Sequence, residues 1–171
     1  EHQALYDSLI LKEFGLAPKH YRKPGKNCSA SYVYAKALHW FLRNYFDVGN
    51  GRKCNKISIP NKILSLHDDL ILASLLCGLF DSDGTITNKG IVKYASTSRK
   101  MVDQVMCELS RFGMSPRFVE WLKAERYLPL YTAEIRTKDS IKIFAEVVNF
   151  RHPAKQARLR NRIAKITSPI V

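Results

Sequence analysis

The chain has 171 residues, of which 46% are hydrophobic, so it can bury a core as one domain or as two small ones. Its formal net charge of +13 favours a polyanionic partner, nucleic acid before an anionic membrane or an RNA-rich assembly; a basic protein without such a partner is the plain alternative. The best apolar run, residues 71–80, has about half of the roughly 20 residues that a membrane-spanning helix needs. No signal sequence opens the chain, and four scattered cysteines argue against zinc and disulfides, so we expect an intracellular protein.

The first elements in chain order are an apolar helix that ends near residue 14, two strands at residues 19–26 and 29–35, and an apolar helix at residues 37–46. The first strand and its turn read KHYRKPGK, and cations concentrated at a hairpin tip suit contact with phosphate groups. We therefore predict nucleic-acid contacts for Lys19, Arg22, Lys23 and Lys26, although a solvated turn can carry the same charges. The aromatic side chains of the following helix, such as Trp40, are predicted to lie in the core.

An internal repeat relates the two halves of the chain. EFGLAPK at residues 13–19 resembles RFGMSPR at residues 111–117, a displacement of 98 residues. Each copy follows an apolar helical pattern, and Phe-Gly ends each helix with glycine at the left-handed cap position and proline just beyond. Two strands and another helix follow in both copies. The repeat therefore predicts two related halves.

The second half reads as a complete α+β unit with an antiparallel sheet. Its predicted elements are a helix at residues 69–80, a short strand at 85–87, a strand at 91–96, a helix ending near 112, strands at 117–123 and 129–136, and a helix at 140–150. The first half begins only at its middle helix, so we divide the chain into a partial first repeat, residues 1–66, and a complete second repeat, residues 67–171. The counterpart of Asp83 in the first repeat would fall before residue 1.

The string FDSDGTI at residues 80–86 poses the chemical question, because several site types use two aspartates followed by glycine. A calcium loop of the EF-hand type is excluded, since no acid follows in TITNKGIVK. The string is similar to the nucleophile motif of haloacid-dehalogenase-type phosphatases. That fold needs a strand before the acids and a late acidic cluster, which this sequence does not offer, so the phosphatase stays a distant alternative.

A third interpretation treats the residues before the acids as a helix. Small residues paired four apart, Ala73 with Cys77 and Ser74 with Gly78, predict a stripe where a second helix can approach closely, while the leucines pack elsewhere. The acids then lie at the C-terminal end of the helix, which is unfavourable for negative charge. A divalent cation is the natural partner for a carboxylate placed there, and Mg²⁺ is held by one or two carboxylates together with phosphate oxygens.

LCGLFDSDG at residues 76–84 resembles the nine-residue signature of the LAGLIDADG (dodecapeptide, DOD-type) homing endonucleases, with six of nine positions matching. Together with the repeat, the resemblance is closest to the intein-associated two-repeat members. It implies pseudo-twofold αββαββα repeats with antiparallel saddle-shaped sheets, the first repeat truncated. It also implies a site-specific endonuclease that binds double-stranded DNA in the major groove and hydrolyses phosphodiester bonds with Mg²⁺ or Mn²⁺.

The resemblance assigns roles residue by residue. Asp83 matches the metal-binding acid, and Asp81 matches the earlier acid, which we interpret as part of the helix end. Lys155, in the Lys-Gln-Ala-x-Leu run, matches the lysine that assists catalysis, and Lys56 before Ile-x-Ile-Pro matches its companion better than Lys53. Solvated lysines or plain phosphate contacts are the alternatives at these positions.

The resemblance also has a gap, because the family has a signature helix in each repeat and this sequence carries one. We expect a missing N-terminal segment or a second copy to supply the second acid, and full double-strand cleavage by this chain alone is in question. The sequence shows no intein splicing ends. A non-cutting DNA- or RNA-binding relative, similar to maturases, is the rival function.

A four-stranded sheet of this kind can lie in the major groove with alternate side chains toward the bases. The predicted contacts on the sheet are Lys93, Arg117, Trp121, Lys123 and Arg136. The last segment, RHPAKQARLRNRIAKI, has six Lys/Arg and no acid, and it predicts a helix packed through Leu159. Its basic side, with Arg158 and Arg162, is predicted to face the DNA backbone; association with a membrane is the alternative.

Overall fold

The computed structural model describes residues 2–22, 24–25, 29–46, 55–122 and 128–167, leaving the side chain of residue 2 aside. The chain forms two compact units, Glu1–Leu42 and Arg43–Val171. The predictions for Lys23, Lys26, Lys53 and Lys123 lie outside the described residues.

The first unit contains a helix, a hairpin and most of a second helix. Its elements are α1 (His2–Phe14), β1 (Lys19–Arg22), β2 (Ser29–Tyr32) and α2 (Lys36–Phe46), whose last turn belongs to the second unit. β1 and β2 pair antiparallel. The Gln3 side chain connects α1 to both strands, with Nε2 2.6 Å from Nδ1 of His20 and Oε1 accepting a 2.9 Å hydrogen bond from Ser29 Oγ. Gly15 has φ +63°, which confirms the predicted left-handed cap.

The prediction that Trp40 lies in the core is wrong. Its side chain is 66% exposed, and none of the α2 residues is buried. The aromatic side chains of α2 are therefore not buried in a core formed by the described residues.

The second unit has the predicted order of helices and strands. Its elements are α3 (Asn61–Leu64), α4 (Asp69–Asp83), β3 (Gly84–Ile86), β4 (Val92–Ser96), α5 (Arg99–Arg111), β5 (Arg117–Trp121), β6 (Leu130–Ile135), α6 (Lys138–Val147) and α7 (Pro153–Thr167). The four strands form one antiparallel sheet in the order β3-β4-β6-β5. This confirms the α+β prediction. No helix in the described ranges is long and apolar enough to cross a membrane.

The core lies between the helices and one face of this sheet. Phe80 of α4 is fully buried, with its ring centroid 4.8 Å from that of Phe144 and 5.7 Å from that of Tyr94. Along β4, Val92 and Tyr94 are buried in the core, and Lys93 between them points to the opposite face, as the two-residue period of a strand requires. β4 therefore has a core face and an open face that is half-buried, and on the same open face of β6 Thr132 and Glu134 are themselves buried.

The segment before α3 packs on α5 within the second unit. Gln104 on α5 accepts a hydrogen bond from the backbone N–H of Ile59 at 2.8 Å and donates one to its carbonyl at 3.1 Å. Ser98 Oγ donates to the Ile57 carbonyl, and Ile59 is 1% exposed in the core. These contacts explain why the compact unit begins well before residue 67. The division into repeats at residues 66 and 67 stays a prediction.

Candidate active site

The helix that carries the acidic pair is fixed at its N-terminal end. Asp68 caps it, its Oδ1 accepting hydrogen bonds from the backbone N–H groups of Leu70 and Ile71 at 2.9 and 3.1 Å. Arg111 at the end of α5 donates to the Asp69 carboxylate at 2.8 Å and to the His67 carbonyl at 3.2 Å. These contacts hold the start of α4 against α5.

The C-terminal end of α4 extends three residues beyond the predicted helix, so Asp81 and Asp83 both lie in its last turn. Gly84 follows, and its N–H donates to the Phe80 carbonyl before the chain enters β3. A Cβ at position 84 would lie 2.5 Å from that carbonyl oxygen and 2.7 Å from Phe80 Cα. Close approach of backbones therefore explains this glycine, and the acids' position in a helix excludes the phosphatase alternative, which needs a strand there.

Asp81 is a structural acid. It is 5% exposed, and its carboxylate accepts hydrogen bonds from the backbone N–H of Arg151 at 3.1 Å and of His152 at 3.0 Å. These two residues directly precede α7. Asp81 thus joins the end of α4 to the start of α7, which agrees with its interpretation as part of the helix end.

Lys155 lies at the same place. Its Nζ atom donates to the backbone carbonyls of Phe80 at 3.0 Å and Asp81 at 2.6 Å. An ammonium group there adds a charged donor to two carbonyls of the last turn, of which that of Phe80 also accepts from the Gly84 N–H, and it offsets the negative end of the helix dipole. Burial lowers the pKa of Lys155, although the negative charges of Asp81 and Asp83 act in the opposite direction. The predicted Lys155 and Asp83 are therefore close enough for their charges to interact.

Asp83 differs from Asp81 because its side chain is exposed. It has no ion pair within the described ranges, so its oxygens remain accessible to a ligand. Burial raises the pKa of Tyr94 to about 12, with the charge of Asp83 adding to the shift. No group of three or more His, Cys, Asp or Glu side chains within the described residues could hold a metal ion by itself. The site therefore offers one accessible carboxylate beside a half-buried ammonium group.

The predicted small-residue stripe on α4 is half correct. Ser74 and Gly78 are exposed, and a Cβ at Gly78 would meet no atom within 4 Å. Cys77 is 6% exposed and belongs to the core, so assigning it to the open stripe is wrong. Its Sγ lies 3.9 Å from Asp81 Oδ2. Burial is the main cause that raises the pKa of the Cys77 thiol, and the negative charge of Asp81 raises it further. The exposed stripe of small residues on α4 is therefore narrower than predicted.

The open face of the sheet carries three of the predicted nucleic-acid contacts in one neighbourhood. The strand register aligns Lys93 of β4, Glu134 of β6 and Arg117 of β5 in one row. Glu134 is fully buried and forms ion pairs with Lys93 and with Arg136, whose Nε lies 2.7 Å from Oε2. Burial alone would raise the pKa of Glu134, but hydrogen bonds and charge from Lys93 and Arg136 hold it below its usual range.

Sequence reasoning missed Glu134. The signal for it was an acid between two apolar residues, Ala133 and Ile135, in a strand whose neighbour carries Lys93 at the paired position. Trp121, also predicted to contact nucleic acid, is 53% exposed at the end of β5.

The remaining predicted residues lie apart from this row. Arg158 and Arg162 are on α7 next to the turn between β3 and β4. Lys19 and Arg22 are exposed on β1 in the first unit, where Lys19 Nζ is 5.9 Å from the centre of the Tyr34 ring. Lys56 is exposed in the turn before Ile57, and its assignment as a companion lysine stays a prediction.

Comparison with known proteins gives both a domain and a fold. Residues 71–149 match the family model of the LAGLIDADG-like domain. The crystal structure of I-DmoI in complex with DNA and Ca matches with a TM-score of 0.63 and 16% identity, covering 94% of this chain and 76% of that chain. The structure of I-DmoI with DNA and Mn gives 0.59 at 16% identity, covering 86% of this chain and 72% of that chain. The predicted fold is confirmed by these matches.

Two curated proteins are similar to most of this chain. ATP-dependent DNA helicase Hel308 of Methanocaldococcus jannaschii is 32% identical over 148 residues, a match that covers 78% of this chain. Replication factor C small subunit of Thermococcus kodakarensis is 30% identical over 115 residues, covering 67% of this chain. The match spans only 12% of the length of each of these proteins.

Proposed function

We propose that the chain, whose residues 71–149 match the family model of the LAGLIDADG-like domain, is part of a site-specific endonuclease that binds double-stranded DNA and hydrolyses its phosphodiester bonds with a divalent metal ion. One observation carries the proposal. Asp83 leaves its carboxylate exposed at the end of a helix that Asp81, Lys155 and Gly84 hold in place. A rigid helix end with one accessible acid is suited to presenting a metal ion to a phosphate group.

DNA binding is supported by the charge and shape of the second unit. An antiparallel sheet with Lys93, Arg117 and Arg136 on its open face can enter a major groove. Glu134 holds Lys93 and Arg136 in defined positions, so they are ordered before DNA arrives. I-DmoI, which shares the fold, has been solved in complex with DNA.

The residues at the end of α4 fit a divalent ion that is shared with other groups. Mg²⁺ keeps several waters and uses one or two carboxylates, so Asp83 alone is an adequate protein contribution from this repeat. The ion, when bound, activates water and stabilises charge on the scissile phosphate. We propose Mg²⁺ or Mn²⁺ as the cofactor, in line with I-DmoI complexes solved with Mn and Mg.

Lys155 has a double role in this proposal. Two of the three N–H donors of its ammonium group are used on the carbonyls of Phe80 and Asp81. The third can offset negative charge that develops on a phosphate near Asp83. We keep Lys56 as the companion lysine on the first-repeat side.

A second helix and a second acid are needed to complete the candidate active site. The exposed stripe with Ser74 and Gly78 is suited to a second signature helix, and a further segment or a second copy would supply its acid.

We also propose an association with an intein, because an endonuclease carried within a host protein would match only a small part of that host, as this chain does with the two curated proteins. DNA as partner implies an intracellular location.

A selection from a randomised duplex DNA library tests the function. The bound fraction is exposed to Mg²⁺, and retained and cleaved ends are sequenced, with Asp83→Asn as the test variant and Asp103→Asn, an exposed acid on α5, as the matched control. We expect enriched long sites with staggered ends that disappear in Asp83→Asn alone. Enriched but intact sites would favour the non-cutting relative, and competition by structured RNA would favour its maturase-like form. No enrichment would overturn DNA binding.

A further inference from the structure

A basic cleft of about 260 Å³ lies between the β3–β4 turn and helix α7, and none of its lining residues belongs to a strand. Four cations line it, Lys89 from the turn and Arg158, Arg162 and Lys165 from α7, and no acid is among its lining residues. Like charges gathered in one small cleft repel each other unless an anion joins them. The composition of the cleft therefore indicates an anionic ligand.

The turn holds Arg162 in place. Gly90 is buried with φ +75°, a conformation that favours glycine, and a Cβ there would lie 2.3 Å from Arg162 Cδ. The N–H of Gly90 donates to the Thr87 carbonyl at 2.8 Å, and Thr87 Oγ1 accepts from the N–H of Ile91 at 3.1 Å, so the turn itself is well ordered. Arg162 is thus packed under the turn and differs from a freely solvated surface arginine.

Arg162 also has an unused donor. Its Nε is buried and has no hydrogen-bond acceptor within the described part of the chain. A buried donor without an acceptor is destabilising, and most such groups in proteins have a partner. A guanidinium group presents its donors in a planar fork that matches the oxygens of phosphate.

We propose that this cleft binds a phosphodiester group of the nucleic-acid backbone, at a point separate from the sheet that reads the bases. This inference rests on the proposed function. Arg162 lies seven residues after Lys155 on the same helix, which is about 10 Å along the helix axis. α7 therefore places Lys155 at the candidate active site and Arg162 at a second phosphate, so that one helix aligns the backbone with the end of α4.

The test is the salt dependence of duplex DNA binding by the full chain. Arg162→Gln is compared with Arg160→Gln, an exposed arginine on the same helix that bonds to Gln156 outside the cleft. A lost phosphate contact lowers the slope of log K against log salt by about 0.9, and we expect this for Arg162→Gln and much less for Arg160→Gln. Equal slopes in the two variants would overturn the proposal. Lys89→Gln and Lys165→Gln give a second comparison at exposed positions if Arg162→Gln does not fold.

A titration with inorganic phosphate, followed by amide chemical shifts at the turn, separates the possible sources of the ligand. Binding of phosphate that Arg162→Gln abolishes, together with the changed DNA slope, supports the backbone assignment. Phosphate binding with an unchanged DNA slope overturns that assignment in favour of a free-anion site. Absence of DNA binding by the wild type overturns the proposed function, whereas DNA binding without any effect at the cleft overturns only this inference.

Discussion

The Nζ atom of Lys155 lies 2.6 Å from the backbone oxygen of Asp81 and joins the first turn of α7 to the last turn of α4. The Asp81 carboxylate bonds in the other direction, to the backbone N–H groups that precede α7. Each of the two helix ends thus supplies one charged side chain, which bonds to backbone groups of the other. This reciprocal arrangement fixes the turn that presents Asp83.

Replacing Lys155 with Met should lower the free energy of unfolding by about 1–2 kcal/mol, because two backbone carbonyls lose a charged donor. Urea denaturation measures the change. Lys138→Met, which removes an exposed lysine from α6, should stay within about 0.5 kcal/mol of the wild type. Equal losses in the two variants would show that Lys155 does not stabilise this helix end.

The two aspartates should separate stability from cleavage. Asp81→Asn places an amide group among backbone donors that need an acceptor, so we expect a loss of about 2 kcal/mol in the free energy of unfolding. Asp83→Asn changes an exposed side chain and should alter stability by less than about 0.5 kcal/mol while removing metal-dependent cleavage. Denaturation and DNA cleavage are measured on both. A large stability loss in Asp83→Asn would contradict the assignment.

Gly78 within α4 and Gly84 directly after it should respond in opposite directions to substitution by alanine. Gly84→Ala brings a methyl group against the Phe80 backbone, which cannot move aside easily, and should cost about 1–3 kcal/mol. Gly78→Ala meets open space in a helix and should raise stability by about 0.5–1 kcal/mol. Thermal and urea unfolding compare them. If the open stripe accepts a second helix, Gly78→Ala should nevertheless weaken cleavage.

Glu134 should make stability sensitive to acid. The pKa of Glu134 in the folded chain lies below the ordinary 4.5. Its contribution to the free energy of unfolding is therefore fully present above pH 4.5 and is lost as the pH falls through the pKa of the folded chain. Glu134→Gln should therefore flatten the loss of unfolding free energy on acidification. Urea titrations from neutral pH to below 4.5 measure this, with Glu120→Gln, an exposed glutamate on β5, as the control. An equally steep acid limb in Glu134→Gln would contradict the prediction.

The sequence predicted local features well where short-range physics decides them. The left-handed caps at Gly15 and Gly113, the order of elements in the second unit and the packing of Leu159 all follow from spacing and turn chemistry. The family resemblance also gave the two aspartates different roles; the contacts of Asp81 agree with a structural role at the helix end, and the metal-binding role of Asp83 stays a prediction.

The rest depends on contacts between distant positions. Nothing in the neighbourhood of Lys155 indicates that it reaches the carbonyls of α4, and the burial of Glu134 follows only once β4 and β6 are paired. Cys77 was misplaced because small size marks both a helix interface and a tight core position. Helical spacing alone does not decide which of two faces meets the sheet.

The dependence of α4 on α7 also has a consequence for the order of synthesis. The groups that hold Asp81 and Phe80 are supplied 70 to 75 residues later in the chain. At roughly 5–20 residues per second, a ribosome needs roughly 4–15 s to add them. During that interval the nascent chain already contains Asp83 but lacks the groups that hold the end of α4, so this helix end reaches its final arrangement only after the start of α7 has been synthesised.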